Sequence, residues 1–147
     1  MAVVTFAPNT PAYQATPADP TGTTSTAGVM MGIAGVIIPQ FSGRVLVVVT
    51  GNLTNNTGTA GNGAKVQIRT GTGTAPINGA SLAGNAAGSM QTSVLERAIA
   101  NDLQTFAVSA IITGLALTTP IWIDLSLAAI VAGTALAKNI SISAVEV

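Results

Sequence analysis

A series of short apolar runs, separated by turn residues, is the feature that most constrains the fold of this chain. The strongest run covers residues 44–53, where Arg44 is followed by five consecutive Val and Leu residues. β-Branched residues favour strands, and a run that is apolar at every position is typical of a central strand covered on both faces. Residues 64–70 instead alternate polar with apolar side chains, which is the pattern of a half-buried strand.

Four further segments are apolar or alternating, and they cover residues 28–38, 103–113, 120–131 and 138–147. Residues 71–88 are rich in Gly, Thr and Asn and predict a loop. Residues 93–101 fit a short helix or a strand equally well, because Ser93 and Glu96 have the spacing of a capping box inside an alternating segment. Six to eight strands without a fixed repeat predict an all-β fold, a single antiparallel β-sandwich.

The first 27 residues differ from the rest in their spaced prolines and a Thr-rich run. Proline disfavours both helix and central strand, so the segment predicts an extended N-terminal arm over residues 1–27, followed by the sandwich over residues 28–147. A disordered tail is the alternative. Four apolar side chains in the arm are candidate anchors on a partner: Val3, Val4, Phe6 and Tyr13.

Charge is scarce, with five Lys+Arg, five Asp+Glu and only 7% charged residues, where an average soluble domain has about 25%. A neutral chain is a poor candidate for binding nucleic acid or anionic lipid. The chain has no Cys and no His, which removes disulfides, thiolate chemistry and His-based acid–base catalysis. We therefore expect no enzyme activity and no cofactor, and we expect other subunits to cover part of so neutral a surface.

The most apolar stretch, residues 110–137, is long enough to cross a bilayer. Pro120 and Asp124 lie near its middle, and residues 121–127 alternate, so the stretch predicts a strand and no membrane span. The N-terminus lacks the basic and apolar regions of a secretory signal, so we expect the protein to start in the cytoplasm, where it is made.

The acidic residues show no spacing typical of a metal loop, and the glycine-rich residues 71–74 lack the Lys-Ser/Thr of a phosphate loop. No catalytic or metal site is therefore predicted. Asp124 lies mid-strand beside Trp122, where a buried and unpaired carboxylate would be costly. Arg69 and Lys65, from another alternating strand, are both plausible partners, and we predict a structural ion pair between Asp124 and Arg69. The alternative makes Trp122 the stacking platform of a sugar-binding site.

Three parts of the chain together resemble a compact jelly roll of the TNF/C1q-like type. They are the run at residues 44–54, the strand and loop at residues 66–73, and the ending with Pro-Ile-Trp-Ile-Asp-Leu and Lys-Asn-Ile-Ser-Ile. That architecture occurs in trimeric decoration, or cement, proteins of tailed bacteriophage capsids and in some phage fibre heads. The resemblance spans residues 28–147.

This resemblance implies a homotrimer on the capsid surface of a virion, bound to the major capsid protein and stabilising the shell, with the arm reaching that shell. The alternative is a fibre or spike head that binds a host glycan. A small hydrolase is a third class, which the missing His and Cys disfavour.

Overall fold

The computed structural model describes residues 10–94 and 99–147, which form nine β-strands and no helix. The strands are β1 (Ala12–Ala15), β2 (Val29–Met30), β3 (Gly35–Ile37), β4 (Val45–Asn55), β5 (Gly63–Thr72), β6 (Asn85–Val94), β7 (Gln104–Ile112), β8 (Ile121–Ala129) and β9 (Ala135–Glu146). Within these described residues, no helix is long and apolar enough to cross a membrane.

The strands form two antiparallel sheets that pack face to face. The four-stranded sheet has the order β1-β9-β4-β7, and the five-stranded sheet has the order β2-β8-β5-β6, with β3 also paired to β8. The pairs nest along the chain: β1 with β9, β2 and β3 with β8, β4 with β7, and β5 with β6. Nested antiparallel pairing over two sheets is jelly-roll wiring, which confirms the predicted fold class.

The core lies between the sheets and is built from one face of each strand. Val45, Val47 and Val49 of β4 are fully buried, whereas Leu46 and Val48 on the opposite face are only half-buried. The prediction that this run is covered on both faces is therefore wrong for a single chain. The strand that is buried at every position is β8, because the segments around residues 28–33 and 71–84 cover its outer face.

The N-terminal segment contributes a strand, contrary to the expectation that residues 1–27 stay outside the sheet. Residues 12–15 pair with β9, and Thr23 forms a further bridge to Ala135. The prolines allow this because Pro11 and Pro17 flank the paired residues, and an edge strand uses only one hydrogen-bonding ladder. The described part of the segment is otherwise extended, and the division of the chain at residue 27 stays a prediction.

The edge strand β6 departs from the predicted loop, which was expected to continue to residue 88. Residues 85–87 pair with β5 although they are Asn, Ala and Ala, because the neighbouring strand imposes the conformation. The register then shifts between Val66 and Ile68 of β5, and Gly88, in the shifted part of β6, has a φ of 67°. For the ambiguous segment, residues 93–94 are strand, and residues 95–98 lie outside the described residues.

Replacing Val47 with Asp should prevent folding. Val47 is 0% exposed in the middle of β4, so the new carboxylate would be buried without a partner, at a cost of several kcal/mol against a typical total stability of about 5–15 kcal/mol. Circular dichroism and a thermal melt of the purified variant check this. A soluble variant with a cooperative melt would contradict the position assigned to this strand.

Candidate assembly interface

The outer face of the four-stranded sheet is the surface best suited to contact another protein. It is formed by the outward-pointing residues of β1 and of the paired stretches 46–50 of β4, 107–111 of β7 and 141–145 of β9, and we call this set the outer face. Lys138 of β9 points outward farther along the sheet, opposite Asn52, and lies outside this set. None of the side chains of the outer face is charged: Ala12, Gln14, Leu46, Val48, Thr50, Ala107, Ser109, Ile111, Ser141, Ser143 and Val145.

One row of the outer face is apolar across all four strands. The pairing register places Ala12 opposite Val145, Val145 opposite Leu46, and Leu46 opposite Ile111. Ile111 is 54% exposed although it is a large aliphatic residue. Depletion of charge together with exposed aliphatic side chains is typical of the centre of a protein–protein interface. The outer face therefore has the chemistry of a contact surface.

A second uncharged surface lies along β6, at the free edge of the five-stranded sheet. Residues 85–94 contain no charged residue and no proline, and most of their side chains are exposed. Proteins usually protect such edges with charge, proline or a bulge, and here only the bulge at Gly88 is present, fixed by a hydrogen bond from Gln67 Nε2 to the Gly88 carbonyl. Strand β7 of the other sheet nevertheless lies against part of this edge, since a Cβ at Gly88 would come within 2.9 Å of the Ser109 carbonyl oxygen.

Asp124 is fully buried on β8, and its carboxylate binds backbone amides. The N–H groups of Gly32, Ile33 and Leu125 donate to it at 3.0, 3.2 and 2.7 Å. Burial raises the pKa of Asp124, and the three amide hydrogen bonds oppose that rise. The carboxylate therefore holds the connection between β2 and β3 against the outer side of β8.

Arg69 lies directly opposite Asp124 in the register of β5 and β8, so the two residues of the predicted ion pair do meet. The guanidinium nevertheless donates to the carbonyls of Ala83 and Gly84, at 2.9 and 2.7 Å. Each of the two side chains thus holds a backbone segment next to β5 or β8, and the ion pair between them stays a prediction.

Glu146, near the end of β9, is a residue that the sequence analysis did not single out. The N–H of Gln40 donates to Oε2 at 2.7 Å, and those of Phe41, Ser42 and Gly43 donate to Oε1 at 2.8, 2.6 and 3.1 Å. Desolvation raises the pKa of Glu146, but these hydrogen bonds outweigh it and lower the pKa to about 2. The sequence did contain a signal for its burial, because Glu146 continues the alternate positions of the buried residues Ile142 and Ala144 in β9.

The candidate partner anchors are only partly within the described residues. Tyr13 lies over Gly35, where an added Cβ would come within 2.1 Å of the ring, and it packs against the core of its own sandwich. It is therefore not a free anchor for a partner. Val3, Val4 and Phe6 lie outside the described residues.

Trp122, the candidate stacking platform, is 4% exposed, and its Nε1 donates to the Thr72 carbonyl at 3.1 Å. Its ring is covered by Gly71 and Gly84. The ring therefore offers no open face to a sugar. Among residues 10–94 and 99–147, no cluster of three or more acidic side chains is positioned to hold a metal ion.

Comparison with known proteins identifies a fold and no family. No protein-family model and no curated protein matches the chain. A structure of infectious bursal disease virus, Gx strain, is similar at 16% identity and a TM-score of 0.51, over 99% of this chain and 37% of that chain. A VP2 mutant of the same virus, solved as derived T=1 particles, is similar at 16% identity and a TM-score of 0.52, over 99% of this chain and 34% of that chain.

The chain thus spans about a third of the length of the viral chains that it matches. At this identity the likeness establishes a shared jelly-roll fold.

Replacing Glu146 with Gln should remove a pH-dependent part of the stability. Because the pKa of Glu146 is lowered from 4.5 to about 2 in the folded protein, its contribution is complete above about pH 4.5 and disappears as the pH falls through about 2. The variant should melt below the wild type at neutral pH, and the two melting curves should converge near pH 2. A constant difference at every pH would contradict the anchoring role of the carboxylate.

Proposed function

We propose that this protein is a structural protein of a virion, which decorates and stabilises a phage capsid as a homotrimer and has no catalytic activity. The observation that carries the proposal is the half-covered strand β4. Its sequence is apolar at successive positions, yet its own chain covers only the face with Val45, Val47 and Val49. The other face belongs to an uncharged sheet surface, which a neighbouring subunit would cover.

A neighbouring copy of the chain fits this surface because the outer face carries no charge that the contact would desolvate, and in a trimer it would meet a different surface of the next subunit. An interface of standard size buries roughly 1,600 Å², and apolar area contributes about 25 cal/mol per Å² before the cost of association. Contact through the outer face would therefore stabilise an oligomer. The number of subunits, three, is taken from the resemblance to trimeric TNF/C1q-like jelly rolls.

Decoration would act mechanically. A trimer that contacts several copies of the major capsid protein adds contacts that must break before the shell expands or melts. In this proposal Val3, Val4 and Phe6 insert into the capsid surface, while Tyr13 fixes the base of the arm to the sandwich through Gly35. The protein would be made in the host cytoplasm and located on the capsid surface.

The alternative function, a fibre or spike head that binds a host glycan by aromatic stacking, has less support. Stacking requires an open aromatic face, and Gly71 and Gly84 of the same chain cover the indole of Trp122. A glycan would have to be bound by hydroxyl and amide groups instead.

Replacing Val48 with Asp should produce a folded monomer. Val48 lies on the outer face, so the carboxylate reaches solvent in a single chain. In a contact between subunits through the outer face, the carboxylate would be desolvated. Light scattering should give three times 14.5 kDa for the wild type and 14.5 kDa for the variant. Ser81→Asp, which adds the same charge to an exposed loop, should remain trimeric. A trimeric Val48→Asp variant would exclude the outer face as the interface.

Truncation should separate attachment from folding. Removal of residues 1–9 should leave the melting temperature unchanged and abolish binding to bare capsids, because it deletes the proposed anchors and keeps β1. Removal of residues 1–27 should lower the melting temperature as well, since it deletes β1, Tyr13 and the bridge from Thr23 to Ala135.

Both truncated proteins are mixed with bare capsids, and the capsids are then heated. Full decoration by the chain without residues 1–9, with undiminished protection against heat, would contradict the role of the anchors. A decorated shell that melts no higher than a bare one would contradict the stabilising function itself.

A further inference from the structure

A cleft of about 450 Å³ opens at the end of the sandwich where β5 finishes and β8 begins. Its lining includes Thr70, Thr72, Thr74, Asn85 and Leu115. A second cleft of about 440 Å³ adjoins it and shares Thr70, Asn85 and Leu115. Volumes of this order are typical of sites for small molecules.

Two glycines of the cleft lining pack closely against Trp122. A Cβ at Gly71 or at Gly84 would come within 2.4 Å of the indole ring, and a Cβ at Gly84 would also come within 2.3 Å of the Thr70 carbonyl oxygen. A larger residue at either position would therefore clash with its neighbours. The two glycines thus cover the ring and contribute main-chain atoms to the wall of the cleft.

Thr70 carries the second, independent observation. Its side chain is 6% exposed, and its Oγ1 has no hydrogen-bond partner among the residues that the structure describes. A buried hydroxyl without a partner is unfavourable, and a hydroxyl group of a ligand in the adjoining cleft would supply that partner. Thr54 has the same unpartnered and buried hydroxyl, at 2% exposure, but it lines neither cleft.

We propose that the cleft binds a neutral, polyhydroxylated ligand of the saccharide class, one hydroxyl of which hydrogen-bonds to Thr70 Oγ1. None of the lining side chains is charged, and the neighbouring guanidinium of Arg69 is bound to the carbonyls of Ala83 and Gly84, so the lining favours a neutral ligand. Thr72, Thr74 and Asn85 supply neutral donors and acceptors, and Leu115 offers an apolar surface for the C–H face of a sugar ring. The site goes beyond the structural function proposed above and does not depend on it.

The test is a titration of the ¹⁵N-labelled full-length protein with methyl glycosides of glucose, galactose, mannose and N-acetylglucosamine, with N-acetylneuraminic acid as the acidic comparison. At least one neutral glycoside should give saturable shifts of the amides of Gly71, Thr72 and Gly84, and the acidic sugar should give none. If no neutral glycoside produces saturable shifts at the cleft, the proposal is wrong.

Thr70→Val and Thr54→Val form the matched pair of variants. Each removes one buried hydroxyl at nearly constant volume, so neither should melt below the wild type. Thr70→Val should weaken binding of the glycoside at least tenfold, and Thr54→Val should leave it unchanged. Asn85→Ala, at an exposed lining position, is the second cleft variant and should also weaken binding. Equal affinity of the wild type, Thr70→Val and Asn85→Ala would overturn the assignment.

Discussion

Buried backbone amides need acceptors, and this chain has only five carboxylates, the strongest side-chain acceptors, to provide them. The strand ladders satisfy most of these amides, but the ladders end where one sheet passes to the other. At two such places a side-chain carboxylate accepts the hydrogen bonds of the backbone amides instead. Asp124 binds the amides of Gly32 and Ile33 against β8, and Glu146 binds four consecutive amides beside β4. Two of the five acidic residues thus hold the crossing segments of the jelly roll in place.

The same scarcity of charge explains the difference between β4 and β8. Both strands are rich in aliphatic residues, and both would be poorly solvated if exposed. The chain covers the outer side of β8 with its own loops, where Asp124 and Arg69 each fasten a segment of backbone. No comparable side chain stands on the outer face over β4, which has small and neutral residues instead. A loop is held by specific acceptors, whereas a flat neutral face is suited to another flat surface.

Local pattern was enough to predict most of the long strands, but it predicted neither the start of β6 nor the order in which the strands pair. The Val-rich run became β4, and the alternating segment at residues 64–70 became most of β5, because side-chain periodicity directly reflects which face is buried. β1 was missed, since its four residues between Pro11 and Pro17 carry no alternation strong enough to outweigh the prolines. Asp124 was recognised as a buried acid beside Arg69, but its acceptor role toward Gly32, more than ninety residues away, depends on tertiary structure that no local pattern encodes.

The outer face and the cleft occupy different parts of the sandwich, and this separation follows from the architecture. Strands run within the plane of a sheet, so a contact through the outer face buries the middles of β4 and β9, while the loops that join strands lie at its margin. Thr70 points to the inner side of the other sheet, and the cleft opens at the end of the sandwich. Subunits joined through the outer face would therefore leave this cleft accessible. A single domain would thus carry both the contact between subunits and the proposed saccharide site.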